Sequence, residues 1–203
     1  MAEIETYNTI RRTKDGAIFG LNIRNDLFSL RKPRIILTIT NPPSDRIDGK
    51  NRYAWMNFGV DEMLTFMRKL QECIEEITLE TEGKEIWEFR KGGEDRKRRY
   101  GADVLSRSFT MTADKGRILL KIEIFEGRQL FVKNRWGKSL PGIVEPIGKT
   151  PLESVYYDLD EGTAENLAYV LDKEYAAWRC ALNQDLFAHP EKYTYYGLEE
   201  KRM

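Results

Sequence analysis

The stretch Arg117-Ile118-Leu119-Leu120-Lys121-Ile122-Glu123-Ile124-Phe125 decides the fold class. Ile118, Leu120, Ile122 and Ile124 recur every second residue, which is the period of a strand with one buried face. Their alternation leaves Leu119, Lys121, Glu123 and Phe125 on the opposite face. Working outward, Ala113-Asp114-Lys115-Gly116 reads as a turn back to a strand at 104–112. Glu126-Gly127 reads as a second turn, into a strand at 129–134, so that a hairpin follows. In that last strand Leu130 and Val132 are expected to point inward, with Phe131, Lys133 and Arg135 opposite and Trp136 just beyond. Residues 137–151, with three prolines and three glycines, read as a long loop. A short strand at 154–158 then leads into a helix at about 162–183, whose apolar face carries Leu167, Val170, Leu171, Tyr175, Trp178 and Leu182.

The region before 117 has the same character. Strands are expected at 17–24, at 34–40 between Pro33 and Pro42-Pro43, at 52–58 and at 84–90. A fourth strand for the first half falls around 27–30, and residues 91–99 read as a loop. Met63, Leu64, Met67, Leu70, Cys73, Ile74 and Ile77 have helical spacing over about 61–78, with Asp61 as the expected N-cap. The expected fold is therefore α+β: antiparallel sheet backed by two helices, in an approximate tandem of sheet plus helix. The halves span about 17–80 and 84–183 of one domain (1–203), with a tail over 184–203. Three tyrosines and two glutamates over 193–201 of that tail suit packing on the body, exchange between subunits, or competition for a basic face.

The 203 residues carry 33 basic and 33 acidic side chains, so the formal net charge is zero. The zero conceals alternating blocks: net +4 over residues 1–60, −5 over 61–83, +7 over 84–138 and −6 over 139–203. The basic blocks are those that read as strands. A locally basic sheet attracts a polyanion whatever the total charge, because local potential governs encounter.

Several function classes lack their residues. The one histidine, His189, stands in no catalytic or zinc motif, and neither a G-x-x-x-x-G-K-S/T phosphate loop nor G-x-G-x-x-G occurs. Glu75-Glu76 and the group Asp158, Asp160, Glu161 read as helix-surface charges and helix N-terminal acids before they read as metal ligands. No catalytic residue, metal or cofactor is expected, and an enzyme is the remotest reading. Cys73 and Cys180 lie far apart with no C-x-x-C, which fits reduced thiols. No apolar run reaches the roughly 18–20 residues of a membrane span, and the N-terminus lacks the basic start and apolar stretch of a secretory signal. The expected location is cytoplasmic, in the host if the protein is viral.

What the strands do carry is cations interleaved with rings. Single-stranded nucleic acid needs both: cations for phosphates, and aromatic faces for unpaired bases, at about 1–3 kcal/mol per stacked base. The candidate phosphate contacts are Arg98, Arg99, Arg107, Lys121, Lys133, Arg135 and Lys138. The candidate stacking residues are Tyr53, Trp55, Phe131 and Trp136. Residues 133–138 (Lys-Asn-Arg-Trp-Gly-Lys) set cations beside an indole at a strand end, whereas Arg96-Lys97-Arg98-Arg99 is a dense basic run flanked by glycines. The competing reading makes Phe125, Phe131 and Trp136 the cover of a second core or of a subunit interface.

This order of strands and helix, taken twice over about 17–183 and bearing Lys121, Lys133, Arg135 and Trp136, resembles the Whirly-type single-stranded-DNA-binding fold, related to the eukaryotic transcriptional positive cofactor. More weakly, its size and character are similar to accessory single-stranded-DNA-binding transcription cofactors of bacteriophages. The resemblance implies a protein that holds unpaired DNA with little sequence preference, in transcription, replication or recombination. Its implied partners are single-stranded DNA or RNA, an RNA polymerase or replication protein, and further copies of itself. The alternative is a structural or protein-interaction module, such as a phage scaffold or assembly factor, using the same face as an oligomer interface.

Overall fold

The computed structural model describes residues 9–14, 17–24, 34–41, 52–95 and 100–188. The described residues form two antiparallel sheets and two helices, as the α+β expectation requires. The first sheet is a four-stranded meander: β1 (Thr9–Lys14), β2 (Ala17–Arg24), β3 (Arg34–Asn41) and β4 (Arg52–Phe58). Helix α1 (Val60–Thr78) follows. The second sheet holds β5 (Lys84–Glu94), β6 (Val104–Asp114), β7 (Arg117–Lys133) and β9 (Glu153–Asp160) in spatial order, with β8 (Ser139–Pro146) paired to the far end of β7. Helix α2 (Glu161–Ala188) completes it. Four strands and a helix thus occur twice, the second time with a hairpin inserted before the fourth strand.

Alternation on the strands builds the core. Ile118, Leu120, Ile122 and Ile124 of β7, Val155, Tyr157 and Leu159 of β9, and Ala54, Met56 and Phe58 of β4 all face it. Helix α1 lies against both sheets through Met63, Phe66, Leu70, Cys73 and Ile77, and α2 packs beside it through Ala164, Leu167 and Leu171. Phe58 is the joint between the halves: its ring lies 5.4–5.9 Å from those of Phe66, Trp87, Phe89 and Phe109. Burying such a ring contributes about 2–3 kcal/mol. A second joint is polar. The Asn41 amide donates to the Tyr156 carbonyl and accepts from the Tyr156 N–H, both at 3.0 Å, so the end of β3 satisfies the open edge of β9.

The structure corrects several expectations. The fourth strand of the first half is β1; residues 27–30 lie outside the described residues. β1 is a polar edge strand without apolar alternation, and its real signal is the Asp15-Gly16 pair between Lys14 and its partner Ala17. Gly59, not Asp61, is the N-cap of α1, and its N–H donates to Glu62 Oε2 at 2.5 Å. β5 extends to Glu94 through what read as a loop. The largest correction concerns Glu126-Gly127. No turn occurs there: β7 runs unbroken to Lys133, and the expected loop at 137–151 contains β8. Among the described residues no helix is long and apolar enough to cross a membrane.

Candidate nucleic-acid interface

The far half of β7 and all of β8 form a two-stranded arm. Its root is held by a slot of small residues on the outer face of the second sheet. Gly92 pairs with Ser106 across β5 and β6, Gly127 lies beside them on β7, and the Val144 side chain of β8 sits over both glycines. A Cβ on Gly127 would lie 2.6 Å from Val144 Cγ1 and 2.9 Å from two backbone atoms of β6, so glycine is what lets the strands approach. The Ser106 hydroxyl donates to the Val144 carbonyl at 3.4 Å, and the Ile147 N–H to the Glu126 carbonyl at 2.8 Å. A bulge interrupts the register between Gln129 and Phe131, where the Gln129 amide donates to the Leu130 and Gly142 carbonyls at 2.9 and 3.0 Å.

Beyond the bulge the arm leaves the body. Phe131 pairs with Pro141, Val132 with Leu140 and Lys133 with Ser139. Val132 was expected to point inward, yet it is 55 % exposed, and Leu130 is only half-buried outside the core, because among the described residues no layer covers this part of β7. The tip is a tight turn. Asn134 Oδ1 accepts the Trp136 and Lys138 N–H groups at 3.0 and 2.9 Å, and Gly137 takes a left-handed φ of +74°. The Arg135 guanidinium lies 4.0 Å from the centroid of the Trp136 ring, which is 73 % exposed. Phe131 is likewise exposed. Lys133, Arg135 and Lys138 carry no salt bridge among the described residues. The structure therefore brings five of the eleven candidates together on one arm: Phe131, Lys133, Arg135, Trp136 and Lys138.

The other candidates lie elsewhere. Lys121 is on the outer face of the second sheet, as its alternation requires, but it pairs with Glu123 at 2.7 Å. Its cross-strand neighbour on β9 is Tyr156, half exposed, which was not among the candidates because the pairing of the 154–158 strand with β7 is not readable from the sequence. Trp55 and Arg107 meet at the first sheet, with Tyr53 two residues away on the same strand. The Arg107 guanidinium lies 4.6 Å from the Trp55 centroid, and the Tyr100 hydroxyl donates to the Tyr53 carbonyl at 3.0 Å. Arg107 shares the core-facing side of β6 with Phe109, so this stack joins the two sheets and covers one face of the indole. Arg98, Arg99 and residues 189–203 of the tail lie outside the described residues.

Several acidic groups have partners within the chain. Glu62 pairs with Lys91 at 3.0 Å, and Glu76 with Lys84, so α1 neutralises two of the three cations of β5. Asp158 holds Lys14 and Arg117; burial pulls its carboxyl upward, but those two hydrogen bonds outweigh it and hold the group below the usual carboxylate range. Hydrogen bonds from the Thr163 side chain and then from its N–H, at 2.8 Å at the start of α2, hold the Asp160 carboxyl below its usual range as well. No protein-family model matches the chain, and comparison with curated proteins returns no significant relative.

Proposed function

We propose that the protein binds single-stranded DNA with little sequence preference, through the tip and the Phe131 face of the arm. The observation that supports this is the juxtaposition at the tip: an exposed indole already stacked on Arg135, with Lys133 and Lys138 beside it and unpaired among the described residues. Phosphates run along the three cations while bases stack on Trp136 and Phe131. No base-edge recognition is required, so the binding tolerates any sequence. In this reading the strand is kept open for a polymerase or replication protein.

A subunit interface is the second reading, favoured by Ile143, which is 69 % exposed on the same arm. Fluorescence anisotropy with labelled single- and double-stranded oligonucleotides of one sequence separates the two. Tight binding to the single strand, lost on Trp136→Ala, supports the proposal. An oligomer that ignores nucleic acid supports the interface.

A further inference from the structure

The two faces of the arm differ chemically. Register puts Phe131, Lys133, Ser139 and Pro141 on one face and Val132 with Leu140 on the other. The first is continuous with the cations of the tip. The second is aliphatic, with Val132 55 % and Leu140 39 % exposed. Gly142 adjoins this face: a Cβ there would stand 3.3 Å from Val132 Cγ1, so the surface beside Val132 stays low. From Phe131 to the turn at Asn134 the arm reaches about 10 Å beyond the bulge, and a two-stranded ribbon is narrow enough to enter a groove about 12 Å wide or to stand between two strands.

A single strand needs only the cationic face. The end of a duplex offers what the aliphatic face matches: the terminal base pair presents a flat, uncharged π-surface, while the strand leaving it carries phosphates. Residues 127–149 hold five cations (Arg128, Lys133, Arg135, Lys138, Lys149) against Glu145, a net of +4, which favours a polyanionic partner for both faces. We propose that the arm recognises the junction between single- and double-stranded DNA, Val132 and Leu140 covering the terminal base pair while Phe131, Lys133 and the tip carry the departing strand. This rests on the single-strand reading above and adds its substrate class.

The test uses the full chain and three labelled DNAs: a single strand, a blunt duplex, and a duplex bearing that strand as a tail. The tailed duplex is expected to bind about tenfold more tightly than the strand alone. Val132→Ser with Leu140→Ser is expected to remove that preference and leave single-strand affinity within about twofold. Both side chains are exposed, and Val132→Thr, which keeps the strand-forming shape, provides the same comparison with least risk to folding. Equal affinity for junction and strand, or an undiminished preference in the variants, overturns the junction seat and leaves single-strand binding standing. Loss of a defined oligomer in the serine variant, with DNA binding unchanged, assigns the face to a second copy and overturns it too. Failure to bind the single strand at all removes the underlying reading together with the inference.

Discussion

Gly127→Ala probes the seat of the arm. The added methyl would sit 2.6 Å from Val144 Cγ1 and 2.9 Å from both Leu105 C and Ser106 N. Val144 can turn aside, but the β6 backbone is fixed by pairing on both sides, so the strands must separate. Overpacking of this kind costs about 1–3 kcal/mol, and backbone clashes put this case near the top. Against it stands about 0.4–1 kcal/mol from the stiffer unfolded chain. The net is a loss of about 2 kcal/mol, or about 4–8 °C in Tm for a chain of this length. Urea denaturation and thermal melting read it directly. Adding Val144→Ala should recover only a part, since the backbone contacts remain. A Gly127→Ala variant melting within about 1 °C of the parent would show that β7 does not cross β6 as closely as described.

Three further outcomes follow from the described contacts. Asn41→Ala opens the edge of β9 by removing two hydrogen bonds to Tyr156, and should cost about 1–3 kcal/mol in denaturation, with faster hydrogen exchange at the Tyr156 amide. Asp158 has a lowered folded pKa, so its stabilisation is present above the unfolded value of about 3.9 and is lost as pH falls through the folded value. Asp158→Asn should therefore be less stable than the parent near neutrality, and the gap should close below about pH 4. Burial, then the neighbouring Glu72, push the Cys73 thiol up to about 12, whereas Cys180 is exposed. A thiol reagent should titrate only Cys180 in the native protein and both thiols in denaturant; rapid reaction of both under native conditions would contradict the burial of α1.

The elements with a clean period were legible in the sequence. The alternation at 117–125, the β-branched run at 34–40 and the helical spacing at 61–78 each correspond to an observed element, because burial against one layer imposes its period on the sequence. The arm was not legible, for the converse reason. Beyond its root no layer covers it among the described residues, so no period is imposed, and Pro141, Gly142 and Pro146 read as loop. Paired with β7 alone, β8 is an edge strand, where proline is tolerated. Gly127 was misread because a close strand crossing and a turn make the same demand for a missing Cβ. Local composition located Lys133 to Lys138, since those residues act within six positions of one another. It gave no notice that Arg107 would cover Trp55, a contact between residues 52 positions apart on different sheets.

Salt-dependent anisotropy on a labelled single strand, run for the parent and for Lys133→Ala with Arg135→Ala, addresses the binding proposal head-on. Each phosphate neutralised on a single strand adds about 0.7 to the slope of log K against log salt, so losing two cations should flatten it by about 1.4 and weaken binding at every salt concentration. A folded double variant with the parent's affinity and slope, or a parent that ignores single strands at low salt, would contradict the placement of DNA on the arm.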